Sequence, residues 1–99
     1  MRLTEQEISK IRGFFRTKPV LKAFLFGSYA RGEADEQSDI DLLISLDNSQ
    51  PIGWDFFGWP EDLTALLAKK VDVVAPNNKP SRFKEEIAPD LQLIYERAA

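Results

Sequence analysis

Two short runs decide the fold: Leu25-Phe26-Gly27-Ser28-Tyr29-Ala30-Arg31-Gly32-Glu33-Ala34 and, four residues on, Ser38-Asp39-Ile40-Asp41-Leu42-Leu43-Ile44. The first begins inside an apolar stretch, residues 20–26, that reads as a strand buried on both faces for most of its length, with Lys22 the exception. Gly27 breaks that strand, and Ser28 is placed to cap a short helix over 29–32. After a polar loop, 33–38, the second run starts a strand over 39–46. There Ile40, Leu42, Ile44 and Leu46 share one face, and Asp39, Asp41, Leu43 and Ser45 the other.

Asp39 and Asp41 thus project together, their Cα atoms about 6–7 Å apart by strand rise. Two carboxylates at that spacing can converge on hard cations, and Mg²⁺ is held by one or two carboxylates plus substrate phosphates. Gly27 lets the backbone approach a ligand closely, the amides at the following helix start attract phosphate, and the Ser28 hydroxyl can donate to it. Arg31, one turn on, is within reach of the same phosphates. A bare Gly-Ser is most often an ordinary turn, and an isolated Asp-x-Asp a solvated strand start. Both at this spacing arise by chance on the order of once in a thousand such chains.

A third acid, Asp72, lies in the Val-rich run over 71–75, where a charge is costly unless paired or metal-bound. Beside the strand of Asp39 and Asp41 it completes a site for two metals about 3.5–4 Å apart. The chain has no histidine and no cysteine, which excludes a His- or thiolate-type metal site and leaves a carboxylate, best Asp72, as general base.

Further out, Thr4 and Glu7 form a capping box, and Ile8, Ile11, Phe14 and Phe15 give an amphipathic helix over about 4–17, ended by Lys18-Pro19. Residues about 54–69 read as a helix with Leu63, Leu66 and Leu67 as its core stripe, weakened by Gly58 and Pro60. A loop over 76–80, a helix over 81–88 carrying Phe83 and Ile87, and a last strand over 91–95 with Leu91, Leu93 and Tyr95 alternating complete the chain. Arg82 and Lys84 read as a solvated helix face, Tyr29 as packing, and Asp35-Glu36 as part of a solvated loop. The pattern predicts one α/β (α+β) domain over 1–99, with a small mixed sheet of about four strands flanked by helices.

Composition sets the outer bounds. Hydrophobic residues make up 43% and charged residues 29%, ordinary for a soluble domain. A net charge of −3, from 13 basic and 16 acidic residues, argues against direct nucleic-acid binding, which needs a positive face. There is no apolar run near the roughly 20 residues that span a bilayer, and no secretory h-region, so the expected location is the cytoplasm with no membrane contact.

These residues resemble the signature of the DNA polymerase β-like nucleotidyltransferases, specifically the minimal nucleotidyltransferase branch, and Lys70-Val71-Asp72-Val73-Val74 resembles its third-acid strand. The likeness runs from the first strand to Tyr95. It implies the nucleotidyltransferase fold, terminal phosphates held by Gly27 and Ser28, metals (two Mg²⁺ ions) on Asp39 and Asp41, and Asp72 completing the site. Members of the branch often act as antitoxins beside a HEPN-domain toxin, some by transferring AMP from ATP to its tyrosine. With no second domain for an acceptor, a separate protein must supply the hydroxyl or cover the site, in a homo- or hetero-oligomer. The alternative is a catalytically silent module that neutralises a toxin by binding alone. The run Trp54-Asp55-Phe56-Phe57-Gly58-Trp59-Pro60 is more aromatic than the branch leads one to expect, and is either core or a partner anchor.

Overall fold

Thr4 starts the first helix as its capping pattern predicts. Its Oγ1 accepts the Glu7 N–H at 3.1 Å, and Glu7 Oε1 accepts the Thr4 N–H at 3.0 Å. The computed structural model describes residues 2–47, 49, 53–75 and 88–97. Helix α1, Glu5–Arg16, buries Ile11 and Phe15 and ends at Thr17, ahead of Pro19. The chain then enters β1, Val20–Phe26, makes one turn of helix α2, Ser28–Arg31, and returns as β2, Ile40–Leu46. A 3₁₀ turn, Trp54–Gly58, leads into α3, Trp59–Leu67, and then into β3, Val71–Val74. A second 3₁₀ turn, Ala88–Asp90, precedes the last strand, β4, Gln92–Glu96. Truncating the cap by Thr4→Ala is expected to cost about 1 kcal/mol, read in a thermal melt as a fall of about 4–8 °C.

The sheet runs β3-β2-β1-β4, with β1 antiparallel to β2 and β4, and β2 parallel to β3. This is the mixed four-stranded sheet expected, in an α+β arrangement. Ile40, Leu42 and Ile44 are fully buried on one face of β2, in a core with Ile11, Phe15 and Leu63. Among the described residues no helix is long and apolar enough to cross a membrane.

The structure corrects several expectations. In β1, Leu21 is exposed beside Lys22, the one exception expected, where the pairing with β2 slips between Val20 and Lys22. In β4 the alternation fails: Ala23 pairs Tyr95 and Phe24 pairs Leu93, so Ile94 is an extra residue. At such a bulge two residues oppose one on the partner strand. Ile94 and Tyr95 are both buried while Leu93 is 49% exposed. The helix over 54–69 divides at Gly58, and Pro60 sits in the first turn of α3, where its missing N–H costs nothing. Leu66 is 41% exposed, and the core position goes to Trp59, 3% exposed. The expected loop over 76–80 and most of the helix over 81–88, with Arg82, Phe83, Lys84 and Ile87, lie outside the described residues.

The aromatic run is both core and surface. Trp59 meets Phe14, Phe15 and Phe56 edge-on, with ring centroids 5.2–6.4 Å apart. Its buried indole Nε1–H finds no acceptor among the described residues. Trp54 and Phe57, with centroids 5.7 Å apart, are 87% and 70% exposed.

Candidate active site

Gly27 leaves β1 with φ +77° and ψ −157°, a backbone conformation open essentially to glycine alone. Its carbonyl accepts the N–H groups of Ala30 and Arg31, both at 3.1 Å, and so founds α2. Ser28 is therefore the first residue of that helix and not its cap, a correction to the sequence reading; the glycine backbone alone makes the entry. No hydrogen bond among the described residues ties down the Ser28 hydroxyl. Gly32, at φ +74°, closes the turn.

Asp41 faces this turn. It pairs with Phe26 across β1 and β2, and its carboxylate lies where a Cβ on Gly27 would stand: that atom would collide with Oδ2 and come within 3.3 Å of Cγ. On the other side Asp41 is the Cα partner of Asp72 in the parallel pair β2–β3. Partners in adjacent strands stand about 4.8 Å apart with side chains on the same face. Asp39 sits just ahead of β2, which begins one residue later than the sequence pattern predicts. The loop that delivers it is shaped by Asp35, whose Oδ1 accepts the Gln37 N–H at 2.9 Å and the Ser38 hydroxyl at 3.2 Å. Asp35 so serves loop geometry, as expected, and Tyr29 is buried packing.

The charges of the other two acids are felt at Asp41. Half-buried Asp41 holds its proton above the usual carboxylate range, first through burial and then through the negative charges of Asp72 and Asp39. Arg31 opposes the shift. Its guanidinium is also held by other acids, Nη1 donating to Asp90 at 3.0 Å and Nε to Glu33 at 3.3 Å. Lys70 Nζ stands 3.6 Å from Asp39 Oδ2. Among the described residues no trio of acids is closed into a coordination set. Lys70 and Asp90 escaped the sequence reading as site residues. Lys70 was findable, two residues from Asp72 and on the same side of its strand. Asp90, 59 positions from Arg31, gave no signal.

Carboxylates side by side on β2 and β3, next to a glycine turn that opens a helix, are suited to holding cations against an anionic phosphate chain. A family model described as polymerase beta, nucleotidyltransferase, matches residues 9–99. Protein adenylyltransferase MntA of Thermococcus cleftensis is 42% identical over 70 residues, 71% of this chain and 70% of that protein. A Methanocaldococcus jannaschii protein provisionally named a protein adenylyltransferase is 38% identical over 93 residues, 85% of this chain and 94% of its own. Among solved structures, a toxin–antitoxin with AMP-PNP superposes with a TM-score of 0.74 at 20% identity, over 96% of this chain and 75% of that one. A tri-AMPylated Shewanella oneidensis HEPN toxin in complex with MNT antitoxin gives 0.70 at 15%, over 96% and 74%. The fold, the matched span and the relatives agree: this chain belongs to the polymerase beta nucleotidyltransferase family of transferase enzymes, in its minimal branch.

Proposed function

We propose that this chain transfers AMP from ATP to a tyrosine hydroxyl of a HEPN-type toxin, in the cytoplasm, and thereby acts as its antitoxin. The observation that carries the reading is the pairing of Asp41 with Asp72 beside the Gly27 turn. The names of the relatives support protein as acceptor, and the AMP-PNP and AMPylated-toxin complexes of fold neighbours support nucleotide and partner.

The residues fit Mg²⁺. The donors are all hard oxygens, and Asp41 bears a burial and like-charge cost that a divalent cation offsets. Asp39, Asp41 and Asp72 would hold two ions, which when bound neutralise charge on the phosphates and the reacting oxygens. The chain's own groups do the rest. The Gly27 turn and the Ser28 hydroxyl seat the terminal phosphates, with Arg31 adding positive charge nearby. Asp72, exposed at the outer strand, takes the proton of the acceptor hydroxyl. The acceptor oxygen bonds to the α-phosphorus, the bond from that phosphorus to the bridging oxygen breaks, and pyrophosphate departs with the electron pair. Net charge of −3 speaks for a protein acceptor and against nucleic acid.

The exposed pair Trp54 and Phe57 favours a second reading, a module that silences its partner by contact alone. One experiment separates them: intact-mass measurement of the HEPN-type partner after incubation with this chain, ATP and Mg²⁺. Added adenylyl groups, absent with the Asp39→Asn/Asp41→Asn/Asp72→Asn triple variant, support transfer. Neutralisation of the partner by the triple variant without nucleotide assigns the effect to binding.

A further inference from the structure

The outer edge of β3 lies beside the acids, and among the described residues no strand pairs with it. Ile40 N–H bonds the Lys70 carbonyl at 2.9 Å, and Ile40 stands opposite Val71. In a parallel ladder this turns the peptide groups of Lys70, Asp72 and Val74 towards β2, and those of Val71 and Val73 outward. Thr64 closes the first outward group: its Oγ1 accepts the Val71 N–H at 3.0 Å while donating to the Pro60 carbonyl at 2.7 Å. Among the described residues, no group beyond that ladder bonds the Val71 carbonyl or the peptide groups of Val73. A groove of about 430 Å³ runs alongside, walled by Pro60, Glu61, Thr64 and Ala65 of α3 and by Lys70 and Asp72.

Strand order fixes the direction of approach. Across the sheet come the Gly27 turn at the end of β1, Asp41 on β2, Asp72 on β3, and then the open edge. In-line displacement sets the entering oxygen and the leaving pyrophosphate on opposite sides of phosphorus. With the terminal phosphates on the Gly27 turn, the hydroxyl arrives from the β3 side. Charge narrows the visitor further. Glu61 and Asp72 rim the groove, while the Lys70 ammonium is turned to Asp39. Such a rim favours a basic segment over an acidic one.

Resting on the transferase reading above, we infer that the acceptor protein docks on the β3 edge as an extended, basic segment that adds a strand beyond Val71 and Val73. Its main chain pairs with the Val71 carbonyl and with the N–H and carbonyl of Val73, the Val71 N–H staying on Thr64. Alternate side chains then point to opposite faces. One set falls into the groove beside Ala65; the other carries the acceptor hydroxyl to Asp72, on the face of the acids.

The test uses the full chain and a purified HEPN-type protein as probe. Ala65→Arg, an exposed helix substitution, both fills the groove and opposes a basic segment. It is expected to raise KM for the protein acceptor at least about tenfold, with KM for ATP held within about twofold. Amide exchange is expected to slow within residues 71–74, at the Val73 N–H, when the probe binds, and not in β4. Arg16→Glu, in the groove along β4, is the control and leaves both constants in place. An acceptor KM unmoved by Ala65→Arg, with exchange over 71–74 unaltered by the probe, overturns the proposal. So does protection of 71–74 that grows with this chain's own concentration and needs no probe, since the edge then serves self-pairing. If the probe receives no adenylyl group, the transferase reading fails, and exchange over 71–74 on probe binding decides the docking surface by itself.

Discussion

Asp41→Asn is expected to abolish AMP transfer and, in the absence of divalent ions, to raise the melting temperature. Both effects come from the crowding of negative charge around one half-buried carboxylate. Asp41 sits between the Gly27 turn and Asp72, so its loss removes the central carboxylate of the proposed cation site. Transfer should fall by about three orders of magnitude or more, equivalent to about 4 kcal/mol of transition-state stabilisation. The stability effect has the opposite sign. Burial, then Asp72 and Asp39, raise the folded-state proton affinity of Asp41 above that of the unfolded chain. The folded state then binds more protons than the unfolded one across the window between the two values. Stability accordingly declines as pH rises through that window and stays reduced above it. Asparagine carries no charge to penalise, so at neutral pH with chelator the variant melts higher. Mg²⁺ with ATP should stabilise the parent chain and not the variant. Transfer that survives the substitution, or a variant that melts lower in chelator, contradicts this account.

Gly27→Ala is expected to remove transfer with an almost intact fold, whereas the same change at Gly32 costs stability alone. Both glycines have positive φ, at +77° and +74°, so alanine is strained at either. At Gly27 the backbone lies in a region almost exclusive to glycine, worth about 1–3 kcal/mol, and the new methyl group collides with Asp41 Oδ2. The acid must move or the turn must open. Either outcome parts the proposed phosphate seat from the proposed cation ligands, and transfer should drop by about a hundredfold or more. At Gly32 the region is left-handed helical, costing about 1–2 kcal/mol. The methyl group there meets Arg2 Nη2 at 2.9 Å, the free end of a long side chain that can swing away. Calorimetry of Mg²⁺–ATP binding and transfer assays on the two variants measure the contrast. Equal losses of transfer at both positions refute it.

Much of this was legible because the relevant physics is local. Thr4 and Glu7 announce a helix start within four residues; Gly27 announces a turn by itself; Ile40, Leu42 and Ile44 announce a buried face by alternation. The union of Asp41 with Asp72 was readable too, since a charge in a valine run has few other uses. What escaped is non-local. The bulge that buries Ile94 is set by how β4 meets β1, and nothing within residues 91–95 encodes the slip. Trp59 takes the core position in place of Leu66 because a 3₁₀ turn fills residues 54–58 and the helix begins only at Trp59, its buried face being Trp59, Leu63 and Leu67. Arg31 was read as within reach of phosphate, and its contact with Asp90, from the far end of the chain, was not foreseen. The same contact sets its guanidinium more firmly charged, first through the Asp90 hydrogen bond and then through Glu33.

The two indoles of this chain occupy opposite environments, one sealed among phenylalanines and one almost wholly in water. The molecule thus carries its own pair of optical reporters. Iodide or acrylamide will dim the red-shifted emission of Trp54 and spare the blue-shifted emission of Trp59. Quenching therefore watches the surface, and the spectral maximum watches the core, within a single cuvette and with no dye attached. A partner that covers Trp54 will shield it from quencher while leaving the Trp59 signal as it was, so docking and unfolding can be told apart in one titration.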